Sequence, residues 1–122
     1  MLIKLNDDRP IFIQIAEGIE DAIISGVFAE DSQVPSTTEI ATTYKINPAT
    51  VLKGMNILVV DGILYKKRGL GMFVAEGATQ KLTEKRRTQF FESYITSLVR
   101  EANKLQLKKE DVIYMIERGF DL

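Results

Sequence analysis

Neither cysteine nor histidine occurs in these 122 residues. The first absence excludes disulfides, thiolate nucleophiles and thiolate-held metals. The second removes the usual proton carrier near neutral pH and the commonest metal ligand. Acid–base chemistry would fall to carboxylates, lysines and tyrosines, and hydrolytic zinc chemistry loses its ordinary ligands. No metal site and no cofactor are expected. No apolar run reaches the ~18 residues of a membrane-spanning helix. The opening Met1 to Asp8 lacks the basic start and apolar stretch of a signal peptide, so a cytoplasmic protein without a membrane partner is expected. Internal repeats and low-complexity segments are also missing.

What remains is ordinary globular material, 45% apolar and 27% charged, enough to bury a core without staples. The net charge of −1 hides an uneven distribution. Residues 1–33 carry two basic and seven acidic side chains, residues 34–75 five and two, and residues 76–122 nine and eight. The middle third is the positive one, and a local patch governs nucleic-acid binding more than the mean does.

Ile11, Ile15, Ala16, Ile19, Ala22 and Ile23 make one stripe of a helix that starts at Pro10 and stops at Gly26. Gln33-Val34 suggests a short strand. Ser36-Thr37-Thr38-Glu39 is an S-x-x-E capping box that opens a second helix, running to about Tyr44. Asn47-Pro48 caps and starts a third, with Val51, Met55, Leu58 and Val59 at helical spacing. Two helices joined by so short a turn outline a helix-turn-helix. Ile63 to Lys67 and Met72 to Ala75 read as strands around the loop Arg68-Gly69-Leu70-Gly71, a basic wing.

Glu76-Gly77-Ala78 reads as a hinge. Beyond it Phe91, Ile95, Leu98, Ala102 and Leu105 recur with a 3.5-residue period, as in a coiled-coil seam. Val112, Ile113, Ile116 and Phe120 mark a last short helix. The expected fold is mainly α with a small β-hairpin: a winged helix-turn-helix over 1–77 and a two-helix dimerisation segment over 78–122.

Ordered motifs over residues 10–74 resemble the DNA-binding domain of the GntR family of bacterial regulators. They include Pro10-Ile11-Phe12-Ile13-Gln14-Ile15, Val34-Pro35-Ser36, Glu39-Ile40-Ala41, Thr50-Val51, Asp61-Gly62-Ile63-Leu64 and Arg68-Gly69-Leu70-Gly71-Met72-Phe73-Val74. The short tail and Ile46-Asn47-Pro48-Ala49-Thr50-Val51 are similar to the YtrA-like subfamily. The resemblance implies dimerisation through the tail, double-stranded DNA as partner, and repression of an operon, often a transporter's. Three positions depart from the family pattern: Thr38 stands where an arginine is usual, Leu52 where Arg or Gln is, and Gly54 where Ala is. A glycine inside a helix costs about 1 kcal/mol relative to alanine, so Gly54 is expected to mark a close backbone approach.

The recognition helix offers Thr50 and Lys53 to phosphates or base edges and Ala49 to apolar contact with a thymine methyl, with Asn47 read mainly as its cap. Ser36, Thr37 and Thr38 stand at a helix N-terminus suited to phosphate. Lys66, Lys67, Arg68 and Gly69 form the wing, with Arg68 entering the minor groove or gripping phosphate. Lys85-Arg86-Arg87 is read as solubilising charge. The expected dimer interface is Phe91, Tyr94, Ile95, Leu98, Ala102, Leu105 and Ile116, and the Phe90-Phe91-Tyr94 group is assigned to it rather than to a ligand pocket. A dimer cleft is the place left for a small effector.

Two other functions compete. A winged-helix protein-interaction module without DNA binding would suit the overall acidity. An enzyme would need a nucleophile–base pair or a phosphate-cradling loop; Gly69-Leu70-Gly71 is too short for one and lies between strands.

Overall fold

The computed structural model describes Met1 and residues 3–122. They divide into two compact units, Met1–Glu84 and Lys85–Leu122.

In the first unit, α1 (Ile11–Ile24) buries Ile15, Ile19 and Ile23 at its apolar stripe. It also buries two polar residues, Gln14 and Glu20, and Gln14 is satisfied by its neighbours. The amide donates to the carbonyls of Asn6 (2.8 Å) and Arg9 (2.7 Å) and accepts from the Asn6 N–H at 3.0 Å. One glutamine thereby ties the segment before α1 to the helix, and each bond spares a buried polar group from going unpaired.

Helix α2 (Thr37–Tyr44) opens on the expected capping box. Ser36 Oγ accepts from the Glu39 N–H at 3.0 Å, and Glu39 Oε1 from the Ser36 N–H at 3.1 Å. Lys45 turns the chain in the left-handed region at φ 55°. Asn47 then caps α3 (Pro48–Val60), its Oδ1 accepting from the Ala49 N–H at 2.8 Å. Helix α3 buries Val51, Gly54, Met55 and Leu58, packing against both α1 and α2. Gly54 is the close approach: a Cβ there would lie 2.6 Å from the carbonyl oxygen of Phe12 on α1.

Strands β1 (Leu64–Lys67) and β2 (Gly71–Val74) pair antiparallel, with Leu64 opposite Val74, Tyr65 opposite Phe73 and Lys66 opposite Met72. The Gln33-Val34 strand is an isolated bridge from Gln33 to Phe73. Around it, the Asp31 and Val34 N–H groups donate to the carbonyls of Val74 and Met72, which sews the hairpin onto the segment leading into α2.

The tail differs from expectation in two ways. Glu76-Gly77-Ala78 is no hinge: the Gly77 N–H donates to the Glu30 carboxylate, and Ala78 is completely buried. Helix α4 (Ala78–Phe90) therefore starts at once, and Ala78 and Leu82 complete the core of the first unit. This moves the division between units from Gly77 to after Glu84. Secondly, the Phe91 to Leu105 seam is not a uniform α-helical stripe. Phe91–Ile95 is a π-helical turn, closed by the Thr96 N–H donating to the Phe91 carbonyl. The extra residue rotates Phe91 by roughly 100° off the line of the residues that follow. In the second unit α5 (Thr96–Lys104) and α6 (Lys109–Phe120) complete the chain. Lys85-Arg86-Arg87 lies within α4.

Candidate nucleic-acid interface

Two surfaces of the first unit carry most of the expected DNA-binding residues. The first is an open groove of about 370 Å³ between the start of α2 and the wing. Ser36, Thr37 and Thr38 line one side, and Lys66, Lys67, Arg68 and Gly69 the other. The capping box uses the N–H groups of Ser36 and Glu39, while those of Thr37 and Thr38, in the first turn, have no intrahelical acceptor. A phosphate there would meet backbone N–H dipoles on one wall and cations on the other. Thr38 is exposed, and the Thr37 hydroxyl lies 3.5 Å from the sulfur of Met55.

Hairpin register separates the wing cations. Lys66 shares the face of its cross-strand partner Met72, toward α2. Lys67 shares the other face with Tyr65 and Phe73. Those rings stack at 5.8 Å, and the Lys67 ammonium sits 4.5 Å from the Phe73 centroid. Its charge is thus partly engaged by a cation–π contact, worth about 0.5–1 kcal/mol at an exposed site. Arg68, fully on the surface at the turn, has no such hold.

The wing tip has an anchor that periodicity does not reveal. Gln33 Nε2 donates to the Leu70 carbonyl at 2.5 Å. Gly71 makes room for that amide: at φ +119° it avoids strain, and a Cβ on it would come within 2.8 Å of Gln33 Nε2. The sequence signal for Gln33 is weak, because a bond spanning thirty-seven positions leaves no local pattern.

The second surface is the outward side of α3, where Ala49, Leu52, Lys53, Asn56 and Val60 border another open groove. The Lys53 ammonium is 4.0 Å from the Phe12 ring centroid, at the α1 rim of this face. Thr50 is half-buried in the first turn of α3, its N–H donating to the Asn47 carbonyl. Asn47 serves as the cap already described.

The expected dimer residues all lie in the second unit. Phe91, Tyr94, Leu105 and Ile116 are exposed, Ile95 and Leu98 half-buried, and Ala102 buried. Phe90 and Tyr94 form a ring pair at 5.4 Å. Helix α6 buries none of its residues, leaving Ile113, Tyr114, Met115 and Phe120 on the surface. Among the described residues, no helix is long and apolar enough to cross a membrane, and no group of three or more His, Cys, Asp or Glu could hold a metal ion.

Comparison with known proteins agrees with this anatomy. Residues 13–74 match the family described as bacterial regulatory proteins, gntR family. The HTH-type transcriptional repressor YtrA of Bacillus subtilis (strain 168) is 32% identical over 68% of this chain and 64% of its own length. A GntR-family regulator from Bacteroides thetaiotaomicron, known as a crystal structure, superposes with a TM-score of 0.77 at 31% identity, covering 91% of this chain and 96% of that one. The DNA-binding domain of AraR, crystallised with its operator ORX1, matches 62% of this chain and 96% of its own at a TM-score of 0.57 and 26% identity. The chain belongs to the GntR family of bacterial regulatory proteins and is a DNA-binding transcription regulator.

Proposed function

We propose that this regulator is a homodimeric repressor that binds a palindromic operator with α3 in the major groove and the wing alongside. One observation carries the reading. The α2 N-terminus, Lys66 and Arg68 line a single groove that reaches Met55 of α3, the helix that packs on α2 and exposes a face of its own. Phosphate-holding groups on one side and a base-reading helix on the other are what a duplex requires. Lys53 at the α1 rim and Thr50 in the first turn serve phosphates.

The second unit supports the dimer. A segment that buries little beyond Ala102 and exposes Phe90, Phe91, Tyr94, Tyr114 and Phe120 carries an apolar surface that calls for a partner. An identical copy supplies a self-complementary one. Two recognition helices would then meet half-sites about one helical turn apart, near 34 Å. The name of the YtrA relative supports repression; the likeness of residues 46–51 to YtrA-like regulators supports a transporter operon as the target.

Titration of the full chain against random duplex at low salt, then at rising salt, tests this. Lys53, Lys66, Lys67 and Arg68, eight cations per dimer, set a log–log slope of roughly −7. Absence of association at low salt would favour the alternative, a winged-helix protein-interaction module.

A further inference from the structure

The surface that α3 turns outward is almost without charge. Of its 13 residues only Lys53 is charged, and that ammonium is occupied over the Phe12 ring, 4.0 Å from the centroid. Helical periodicity commits Val51, Gly54, Met55 and Leu58 to the core, so the opposite face falls to Ala49, Leu52, Asn56 and Val60. Leu52 is 39% exposed although it stands among the most apolar side chains of the unit. Ala49 and Leu52 lie three residues apart, adjacent on the helix surface and within its first two turns, the part of a recognition helix that approaches base edges.

Each base edge in the major groove asks for a different chemistry. Guanine O6 and N7 call for Arg or Lys, whereas thymine presents a C5 methyl that apolar side chains contact. The start of α3 holds no arginine, and its lysine is turned to the rim. We propose that this protein recognises its half-site chiefly through thymine methyl groups, with Ala49 and Leu52 seated against neighbouring A·T pairs. The inference rests on the DNA-binding reading above. The occupant of the apolar face is a duplex because the hydroxyl- and cation-lined groove of the same unit, which reaches Met55 of α3, matches a phosphate backbone. The AraR domain of similar fold is also itself seen on operator DNA. Phosphate contacts would set the register, and the two apolar side chains would supply the discrimination.

Purified full-length chain should first select its site from a randomised duplex library. Thymidine in the selected site is then replaced by deoxyuridine, one position at a time, which deletes the methyl and leaves the hydrogen-bonding edge unchanged. We expect adjacent A·T pairs in each half-site and, at one or two of them, about a fourfold loss of affinity for each methyl removed. In Leu52→Ala that penalty should shrink or vanish, with helix content by circular dichroism unchanged, since Leu52 lies outside the core. A defined operator whose affinity is indifferent to uracil everywhere, a half-site dominated by guanines, or a uracil penalty undiminished in both Leu52→Ala and Ala49→Gly would overturn the inference while leaving DNA binding intact. Selection of no duplex at all would overturn the DNA-binding reading and this inference with it.

Discussion

Gly54→Ala isolates the packing that sets the recognition helix on its support. The added methyl would sit 2.6 Å from the carbonyl oxygen of Phe12 and 3.3 Å from Cβ and Cγ2 of Ile15. A backbone oxygen cannot rotate aside, so α1 and α3 must move apart. Overpacking of this kind costs about 1–3 kcal/mol, and the rigid obstacle places the cost at the upper end, about 3 kcal/mol. Replacing a helical glycine by alanine returns about 1 kcal/mol through backbone entropy. The net expectation is a stability lower by about 2 kcal/mol, a fall in Tm of roughly 6–8 °C for a chain of this length. Gly119→Ala is the matched comparison, because Gly119 lies in α6 with nothing within 4 Å of the added Cβ. There the propensity gain stands alone, and stability should hold or rise by up to about 1 kcal/mol. Urea and thermal unfolding followed by far-UV circular dichroism, at one fixed protein concentration, measures both. A Gly54→Ala protein as stable as the unmodified chain, or two variants that shift together, would refute the reasoning.

Three further outcomes are expected. Arg68→Ala should weaken operator binding without changing oligomeric state, and should lower the magnitude of the salt slope by about 1 for each phosphate that the arginine neutralises; fluorescence anisotropy across a salt series reads both. Gln33→Glu keeps the size of the side chain but sets an acceptor against the Leu70 carbonyl in place of a donor. Operator affinity should fall several-fold with Tm nearly unchanged, and an unchanged affinity would show that the wing tip needs no anchor. Leu98→Asp places a charge in the expected dimer seam, where it would lie unpaired in apolar surroundings. Sedimentation should show monomer, and an undiminished dimer would remove that residue from the interface.

Features written in adjacent residues are the most legible. The Ser36–Glu39 box, the Asn47-Pro48 start and the wing turn each depend on partners a few positions apart, so their chemistry shows as a local pattern. Gly54 is legible as an exception, since a glycine in the middle of a helix implies a neighbour too near for a side chain. Distant partners leave no such trace. The Gln33–Leu70 bond, the seat of Lys53 on Phe12 and that of Lys67 on Phe73 arise only once the elements have packed. Ala78 and Leu82 read as tail in the sequence because a turn with glycine precedes them, whereas burial joins them to the first unit. The π-turn at Phe91–Ile95 escapes a reading based on period, which assumes one uniform helix. Leu52 stands out in the sequence only as a departure from the family pattern, and its exposure is seen only once α3 has packed.

Hydroxyl-radical footprinting of the full chain on its selected operator tests the central claim most directly. Paired recognition helices flanked by cationic wings should protect two patches related by symmetry, their centres about 10 base pairs apart. A single asymmetric patch, or even protection with no boundaries, would contradict the account.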